Sequence, residues 1–317
     1  MTGIRYLNIN KKSLPKGEII TDKSIYTIYK AVINLSGNKC HIIKPGEKSK
    51  SIENYYKISL NLNNPTTLIA FGGGVVGDLT GFISSTYKRG INLIQIPTTL
   101  LAMVDSSIGG KNGINLSDKK NYLGTIYQPK EILIDIRFLN TLPKKEFING
   151  VAEIIKYGAI KDDSLLDRLK KPLINSDKDL LDIIKKSIKI KTEIVHEDEK
   201  DNNVRKLLNF GHTIGHALEI PNNLTHGEAI AIGMVYESKL ALEKNLISKE
   251  KVNKIFKALK ANNLPTELPK TFNLEKTIEL MKEDKKGPLS FSINFKSKNP
   301  AIIIKEVEAR KLFLAQW

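Results

Sequence analysis

The sequence predicts an α/β domain followed by a mostly α-helical domain. In the first half, short apolar strands alternate with helical segments, and one strand runs directly into a glycine-rich turn at residues 72–77. After Leu142, amphipathic helices follow one another as far as Leu264. Three of the five histidines fall between positions 212 and 226. These features predict one domain at residues 1–143 and a second at residues 144–317.

The composition is that of an ordinary globular protein. The 317 residues are 41% hydrophobic, enough for two cores, and no apolar run reaches the roughly 20 residues of a membrane span. The single cysteine, Cys40, cannot form an internal disulfide, and the N-terminus lacks a signal-peptide pattern, so we expect a cytoplasmic location. The formal charge of +16 suits small anionic substrates, but the lysines are spread along the chain and no nucleic-acid-binding motif occurs. We therefore expect no nucleic-acid partner and no membrane partner.

The first domain begins with a helical segment at residues 25–33 and a strand at residues 39–43. The turn at residues 45–50 follows this strand and carries Glu47 and Lys50. Such a turn either contacts a ribose or a phosphate or is simply solvated.

A strand at residues 66–71 leads into the glycine-rich turn. Gly72, Gly74 and Gly77 match the pattern G-x-G-x-x-G between this strand and a helix that should run to about Lys88. Glycines let the backbone approach a pyrophosphate closely, and the helix N-terminus supplies unpaired N–H groups. With the next strand, at residues 91–96, this βαβ unit predicts nucleotide binding rather than a merely structural turn.

Polar residues follow that strand at the edge where open α/β sheets bind ligands, beginning with Thr98 and Thr99. After a short helical piece, residues 105–113 and 119–122 mix glycines with lysines, a pattern that suits anion contacts but is also typical of loops. A further strand is predicted at residues 132–136.

The second domain begins with an amphipathic helix. Glu153 and Lys156 lie one turn apart among its apolar residues, which indicates a partly buried ion pair. Further helices are predicted at residues 177–195 and 227–246, a charged loop at residues 282–287 and a strand at residues 301–307.

The histidine-rich segment predicts a metal site. His212 and His216 lie one helical turn apart and His226 follows after a short break, so spacing alone nominates these three as ligands. Arg205 and Asn209 precede His212 at helical spacing and should add polar groups to the same face. A chance pair of histidines is the alternative, and the third histidine argues against it.

Seven segments, taken together, resemble the 3-dehydroquinate synthase family and, more broadly, the sugar-phosphate cyclases. They lie, in the family's order, at residues 45–50, 72–82, 95–111, 152–158, 208–217, 226–229 and 284–286. The resemblance implies an NAD-binding α/β domain and a mostly helical domain that carries a divalent metal, zinc or cobalt. A homodimer is expected, because the arginine that matches Arg89 acts across subunits in relatives.

The resemblance also implies a reaction. The family converts 3-deoxy-D-arabino-heptulosonate 7-phosphate into 3-dehydroquinate and phosphate, a lyase reaction of the shikimate pathway towards chorismate and the aromatic amino acids. It proceeds by transient NAD oxidation, phosphate elimination and aldol cyclisation. A sister sugar-phosphate cyclase and a metal-dependent polyol dehydrogenase are the alternatives.

By motif position, the resemblance assigns the site residues in groups. The NAD contacts are Asp22, Glu47, Lys50, Gly73, Gly74, Val75, Val76, Gly77, Asp78, Thr98, Thr99, Lys111, Lys120, Phe138 and Thr141. The substrate phosphate is assigned to Arg89, Lys111, Asn121, His216 and Lys285, with Lys286 as the alternative to Lys285. The substrate carboxylate is assigned to Lys191 and Arg205, and the reacting ring to Asp105, Lys156 and Asn209.

Resemblance and spacing disagree about the metal ligands. The resemblance nominates Glu153, His212 and His226, and leaves His216 free to transfer a proton towards the leaving phosphate. We favour this set because two histidines and one carboxylate leave coordination positions open for substrate oxygens. A cation would also balance the charge of Glu153 in its apolar helix.

Overall fold

The computed structural model describes residues 2–10, 12–117, 119–285 and 288–314, without the side chains of residues 284 and 285. The chain divides into two compact units, Met1–Phe147 and Ile148–Trp317. Within these residues, no helix combines the length and the apolar composition that a membrane crossing requires.

The first unit alternates strands with helices. Its strands are β1 (Gly3–Tyr6), β2 (Glu18–Asp22), β3 (Lys39–Ile43), β4 (Thr67–Gly72), β5 (Asn92–Pro97), β6 (Lys111–Leu116), β7 (Lys119–Ile126) and β8 (Glu131–Ile134). Its helices are α1 (Lys23–Leu35), α2 (Ile52–Asn61) and α3 (Gly74–Thr86). Helix α4 (Lys144–Ile160) begins in this unit and continues into the second, and the predicted domain boundary after residue 143 stays a prediction.

The second unit is mostly helical. After α4 its helices are α5 (Asp163–Arg168), α6 (Leu180–Glu197), α7 (His212–Glu219), α8 (His226–Glu243), α9 (Lys249–Ala261), α10 (Leu274–Lys285) and α11 (Glu306–Leu314). A small antiparallel pair, β9 (Ser290–Ser292) and β10 (Ala301–Ile303), lies between the last two helices in the chain. The predicted fold class, an α/β domain followed by a mostly helical one, is confirmed.

Six of the described strands form a parallel sheet in the order β1-β8-β5-β4-β2-β3. The chain runs outward from β2 to β3 on one side and from β4 to β5 on the other, so the strand order reverses between β2 and β4. Ligands of open α/β sheets bind beyond the carboxyl ends of the strands at such a reversal. Asp22 ends β2 at this point and Gly72 ends β4.

Helix α3 lies directly on the sheet and on the hairpin of β6 and β7. Its residues Val76, Leu79 and Ile83 belong to a buried apolar cluster with residues of β2, β4 and β6. Gly81 permits the contact with β6, because a Cβ built there would lie 1.9 Å from Oδ1 of Asn112. The helix after the glycine-rich turn is therefore fixed by close packing.

The structure corrects three sequence predictions in the first unit. The region of glycines and lysines that begins at residue 105 is not only a loop, because Lys111–Leu116 and Lys119–Ile126 form the β6–β7 hairpin. The helix predicted to reach Lys88 ends at Thr86, and the 3₁₀ turn Tyr87–Arg89 follows with φ of 50° at Lys88 and 69° at Arg89. The short helical piece after Thr99 is a π-helical turn, Ala102–Ser106.

Two predictions near the C-terminus are also corrected. Residues 282–285, predicted as part of a charged loop, belong to helix α10, whereas 286 and 287 lie outside the described residues. The strand predicted at residues 301–307 is limited to β10, and α11 begins at Glu306. Charged residues at helical spacing explain the first difference, since Glu275, Glu279 and Lys282 lie on the exposed side of α10.

Candidate functional site

The glycine-rich turn leaves the start of helix α3 without a side-chain cap. Gly73 occupies the N-cap position and makes no capping hydrogen bond, so the N-cap residue supplies no acceptor for the N–H groups of the first turn. A Cβ at Gly73 would lie 3.0 Å from Cγ2 of Thr99, and one at Gly74 would lie 3.1 Å from Oγ of Ser106. The turn therefore presents bare backbone beside two short hydroxyl side chains, a surface that fits a pyrophosphate.

A buried lysine joins the turn at residues 45–50 to helix α3. Nζ of Lys50 lies 2.8 Å from Oδ2 of Asp78 and 3.3 Å from Oε1 of Glu47. Burial alone would lower the pKa of Lys50, but the two carboxylates outweigh burial and raise it. Nδ2 of Asn115 donates to Oε1 of Glu47 at 3.0 Å, and Oδ1 of Asn115 accepts from the N–H of Asn121 at 2.9 Å. Sequence reasoning missed Asn115, which connects these segments.

The remaining residues assigned to NAD lie along the carboxyl edge of the sheet or on the hairpin. Asp22 caps α1, since its Oδ1 accepts from the N–H of Ser24 at 2.8 Å. Oγ1 of Thr141 lies 2.8 Å from the hydroxyl of Tyr29. The Tyr29 ring also packs edge-on against buried Phe138, with ring centroids 4.9 Å apart.

The other assigned residues of the first unit differ in exposure. Oγ1 of Thr98 is buried and has no hydrogen-bond partner among the described residues. Asp105 lies in the π-helical turn, a feature frequent at functional sites. Arg89, Lys111, Lys120 and Asn121 are exposed.

In the second unit, three helices bring one carboxylate and two imidazoles together. Glu153 of α4, His212 of α7 and His226 of α8 each offer one ligand atom, and these atoms all lie within 4.8 Å of one another. Oε1 of Glu153 is 3.4 Å from Nε2 of His212 and 3.3 Å from Nε2 of His226. Two histidines and one carboxylate are a donor set of catalytic zinc sites, so these residues fit a divalent metal.

The ionisation of the three groups follows from burial and from their neighbours. Burial alone would raise the pKa of Glu153, but the charge of Lys156 and the two histidines outweigh it and hold the pKa well below its usual value. Burial and the Lys156 charge lower the pKa of His212 to about 4. Burial also acts to lower the pKa of His226, but hydrogen bonds to Glu153 and Glu219 outweigh it and raise that pKa to about 9. At neutral pH the carboxylate is ionised and the His212 imidazole is neutral, as metal binding requires, whereas the His226 imidazole holds a proton that a bound metal would have to displace.

A second layer of contacts orients the two imidazoles. Nδ1 of His212 lies 3.1 Å from the carbonyl oxygen of Phe210, and Nδ1 of His226 lies 3.4 Å from Oε2 of Glu219. Both contacts leave the Nε2 atoms directed at Glu153. Partners of this kind fix the tautomer and the ring orientation of metal-binding histidines. Glu219 was not predicted, because nothing in its local sequence indicates the contact.

The start of helix α8 is fixed independently. Thr225 and Glu228 form a capping box there. The N–H of Gly227 donates to Oδ1 of buried Asn149 at 3.0 Å, and Asn149 lies one turn before Glu153 on α4. The two helices that carry Glu153 and His226 are thus hydrogen-bonded beside the cluster.

His216 lies next to the cluster and is exposed, whereas His212 is half-buried. Its ring centroid is 5.2 Å from that of His212 and 6.3 Å from that of His226. The carboxylate, rather than His216, completes the group of converging ligand atoms among the described residues. An imidazole beside the cluster and open to solvent suits proton transfer.

One prediction about the histidine helix was wrong. Arg205 and Asn209 do not share a helical face with His212, because residues Val204–Asn209 form a 3₁₀ turn and Gly211 has a φ of 80°. Helix α7 begins only at His212. Asn209 is half-buried at the end of the turn.

Among the residues that the structure describes in this unit, three cationic side chains are buried. Lys156 is 1% exposed and ion-paired with Glu153, Arg205 is 3% exposed and Lys191 is 6% exposed. Nη1 of Arg205 donates to the carbonyl of Glu199 at 2.6 Å. The side chain of Lys285 lies outside the described part of the chain, as does Lys286.

Comparison with known proteins identifies the family. The model of the 3-dehydroquinate synthase N-terminal domain matches residues 40–149, and that of the C-terminal domain matches residues 150–287. The 3-dehydroquinate synthase of Thermoanaerobacter pseudethanolicus is 45% identical over 288 residues, which cover 85% of this chain and 80% of that protein. The chain belongs to the 3-dehydroquinate synthase family. The 3-dehydroquinate synthase of Dictyoglomus thermophilum is 43% identical over 281 residues, which cover 85% of this chain and 79% of that protein.

Solved structures of sugar-phosphate cyclases share the fold. A 2-deoxy-scyllo-inosose synthase complexed with carbaglucose-6-phosphate, NAD+ and Co2+ superposes with a TM-score of 0.84 at 25% identity, covering 96% of this chain and 92% of the other. A 2-epi-5-epi-valiolone synthase from Streptomyces hygroscopicus, with NAD+ and Zn2+ bound, gives a TM-score of 0.84 at 24% identity, covering 99% and 96%. An iron-containing alcohol dehydrogenase also has the fold, with a TM-score of 0.69 at 14% identity over 98% of this chain and 96% of the other.

Proposed function

We propose that the chain converts 3-deoxy-D-arabino-heptulosonate 7-phosphate into 3-dehydroquinate and phosphate, a reaction of the shikimate pathway. Membership of the 3-dehydroquinate synthase family supports this function. The structural observation that carries it is the cluster of Glu153, His212 and His226 with the exposed imidazole of His216 beside it. A metal site with a proton-transfer group beside it, outside the ligand set, is what oxidation of an alcohol next to a leaving phosphate requires.

Two groups from outside the chain are part of the proposal, a divalent metal and NAD. Glu153, His212 and His226 would hold zinc or cobalt, and the turn after β4 with the Lys50 network would hold NAD. When bound, the metal supplies a Lewis acid and NAD supplies a reversible hydride acceptor. The 2-deoxy-scyllo-inosose synthase that shares the fold was solved with Co2+ and NAD+, which supports both assignments.

The chain's own residues would bind the substrate and move protons. His216 would transfer a proton through a ring nitrogen to the departing phosphate, since its imidazole is exposed and lies outside the converging ligand set. Lys156 would hold Glu153 ionised and in place through their buried ion pair. Asp105 and Asn209 would face the reacting ring.

Cationic residues would fix the two anionic ends of the substrate. Buried Lys191 and Arg205 would bind its carboxylate, because charged donors in a site that excludes water bind anions strongly. The phosphate would be bound by Arg89, Lys111, Asn121 and Lys285. Fixing both ends orients the ring between them, which lowers the entropy cost of the reaction.

The decisive assay measures phosphate release. Purified chain is incubated with the heptulosonate phosphate, zinc and NAD, and free phosphate and NADH are followed together. We expect phosphate to be released without accumulation of NADH, and His216→Asn, as the control, to retain metal but lose most of the rate. NADH that accumulates in step with product would indicate a polyol dehydrogenase instead. Release of phosphate only from other sugar phosphates would indicate a sister cyclase.

We also propose a homodimer in which Arg89 acts at the partner's site. Arg89 is exposed in the 3₁₀ turn Tyr87–Arg89, which makes it available to a second copy. Mixing inactive Arg89→Ala and His216→Ala subunits should restore about one quarter of the wild-type activity, since half of the random dimers carry one intact site. No recovery after subunit exchange would rule out action across subunits. The cytoplasmic location and the division of NAD-binding and metal-binding roles at residues 143 and 144 remain predictions.

A further inference from the structure

Helix α7 begins without a side-chain cap of its own, and a buried carboxylate of helix α8 takes that place. The N-cap residue is Gly211, whose N–H donates to Oε2 of Glu237 at 2.8 Å. The N–H of Ile214, in the first turn, donates to Oε1 of the same side chain at 3.4 Å. Glu237 is 0% exposed. One carboxylate therefore binds the backbone on both sides of His212.

The contact joins the two helices that carry the histidines of the cluster. Helix α8 begins with His226, and Glu237 lies further along the same helix. Helix α7 begins with His212. The position of α8 thus determines the position of the His226 imidazole directly. It determines that of the His212 imidazole through the hydrogen bonds of Glu237.

Close packing leaves α7 little freedom to adopt another position. A Cβ at Gly233 would lie 1.9 Å from the carbonyl oxygen of Gly211, and one at Gly215 would lie 2.7 Å from Cδ1 of Ile230. The backbones of α7 and α8 are therefore in direct contact, and a φ of 80° at Gly211 turns the chain sharply before the helix. In such an arrangement a small shift at Gly211 moves the His212 ring, because the ring is attached to the next residue.

A buried carboxylate is also an unusual group to place here. Burying a charge is unfavourable unless donors compensate it. The N–H groups at a helix N-terminus do so, and the helix dipole favours a negative charge at that end. A neutral amide would have one oxygen for two N–H donors, and its own NH2 group would face one of them.

We propose that Glu237 is a positioning residue of the metal site, which holds the start of α7 and with it the direction of the His212 imidazole. The inference rests on the proposed binding of a metal by Glu153, His212 and His226. It adds a buried carboxylate that lies outside the group of Glu153, His212 and His226 and acts through the backbone of Gly211 and Ile214.

The test compares metal affinity with stability. Glu237→Gln retains the shape of the side chain and removes one of its two acceptors, so we expect the zinc Kd, measured against a competing chelator, to rise about 10- to 100-fold. Loaded with cobalt, the same variant should show a changed visible absorption spectrum, because the geometry of the ligands around the metal alters.

Asn262→Leu is the matched control. Asn262 is a buried polar side chain of the same unit that accepts from the N–H of Leu173 at 2.8 Å and donates to the carbonyl of Leu169 at 2.9 Å. Its loss should lower the melting temperature yet leave the zinc Kd and the cobalt spectrum unchanged. A merely structural role for Glu237 predicts the same behaviour for Glu237→Gln, and that result would overturn the inference.

Two further variants keep the outcomes distinct. Glu153→Gln tests the proposed metal site itself: if it binds zinc like the wild type, the site is wrong, whatever Glu237 does. If Glu237→Gln does not fold, Glu237→Asp replaces it, since the shorter side chain retains the charge but ends one methylene short of Gly211. A several-fold rise in the zinc Kd of Glu237→Asp supports the inference, and an unchanged Kd with an unchanged cobalt spectrum overturns it.

Discussion

Replacing Glu153 by leucine should remove the metal site and also leave the buried charge of Lys156 without its ion-pair partner. The Glu153 and Lys156 side chains are 0% and 2% exposed and form an ion pair through Oε2 and Nζ. The other carboxylate oxygen, Oε1, faces the histidines. The Lys156 charge and the two histidines, against the opposing effect of burial, hold the pKa of Glu153 well below its usual value, so the carboxylate is ionised at neutral pH. Glu153→Leu removes the carboxylate that pairs with Lys156, while the Lys156 ammonium group stays buried away from water.

The size of the effect follows from the burial of both groups. Removing one partner of a buried ion pair destabilises a protein by about 3–5 kcal/mol, whereas replacing both partners by apolar residues of similar volume is often about neutral. Metal-free Glu153→Leu should therefore lose about 3–5 kcal/mol of unfolding free energy. Adding Lys156→Met should restore most of this loss. Neither variant should bind zinc, because both lack the carboxylate.

Urea unfolding after treatment with a chelator measures the stability, and atomic absorption after dialysis against zinc measures the metal content. Lys156→Met alone completes the double-mutant cycle. Its unfolding free energy shows how much the histidines stabilise the Glu153 carboxylate when the lysine is absent. A double variant no more stable than Glu153→Leu would refute the argument from the buried pair. Full zinc occupancy in Glu153→Leu would refute the assignment of Glu153 as a ligand.

Two further predictions concern charged residues elsewhere in each unit. On helix α6, Lys191 is 6% exposed whereas the Lys189 side chain is 77% exposed. Lys191→Met should therefore lower turnover about 100-fold, and Lys189→Met should change it little. Equal effects of the two variants would mean that the basic residues act only through total charge. In the first unit, burial alone would raise the pKa of Asp135, but the hydrogen bonds of Arg137 and of backbone N–H groups hold it below its ordinary value. The contribution of this carboxylate to the free energy of unfolding should be complete above its unfolded pKa of about 3.9 and lost as the pH falls through the lower folded pKa. Urea unfolding of Asp135→Asn should therefore depend less on pH between these two pKa values than that of the wild type.

The sequence was sufficient to predict the parts of the fold that depend on local pattern. β4 is buried along its length and was predicted from a short apolar run that ends in glycines. The turn from Gly72 to Gly77 and the start of α3 followed from the same residues. Close packing and the close approach of a ligand to the backbone both require residues without a side chain. The β6–β7 hairpin was missed, since its glycines, lysines and asparagines are typical of loops and its pairing depends on contacts with α3.

Spacing along the chain was less informative about the metal cluster. It placed His212 and His216 on one face, which the structure confirms, since their rings lie 5.2 Å apart. It could not show that a carboxylate from α4, rather than His216, completes the group of converging ligand atoms. Only the resemblance nominated Glu153, and only the structure brings it within 3.4 Å of His212.

Three of the contacts that sequence reasoning missed share one physical property, which is that each joins two helices of the second unit. Glu237 binds the start of α7, Asn149 binds the start of α8, and Glu219 binds the ring of His226. A helix can bury apolar residues in many registers with similar energy, but a carboxylate or amide that must meet a particular N–H group allows only one. The three ligand-bearing helices α4, α7 and α8 are thus held in one register by polar contacts made before any metal binds. Metal affinity should therefore respond to changes at these three polar groups more than to changes of equal size in the surrounding apolar core.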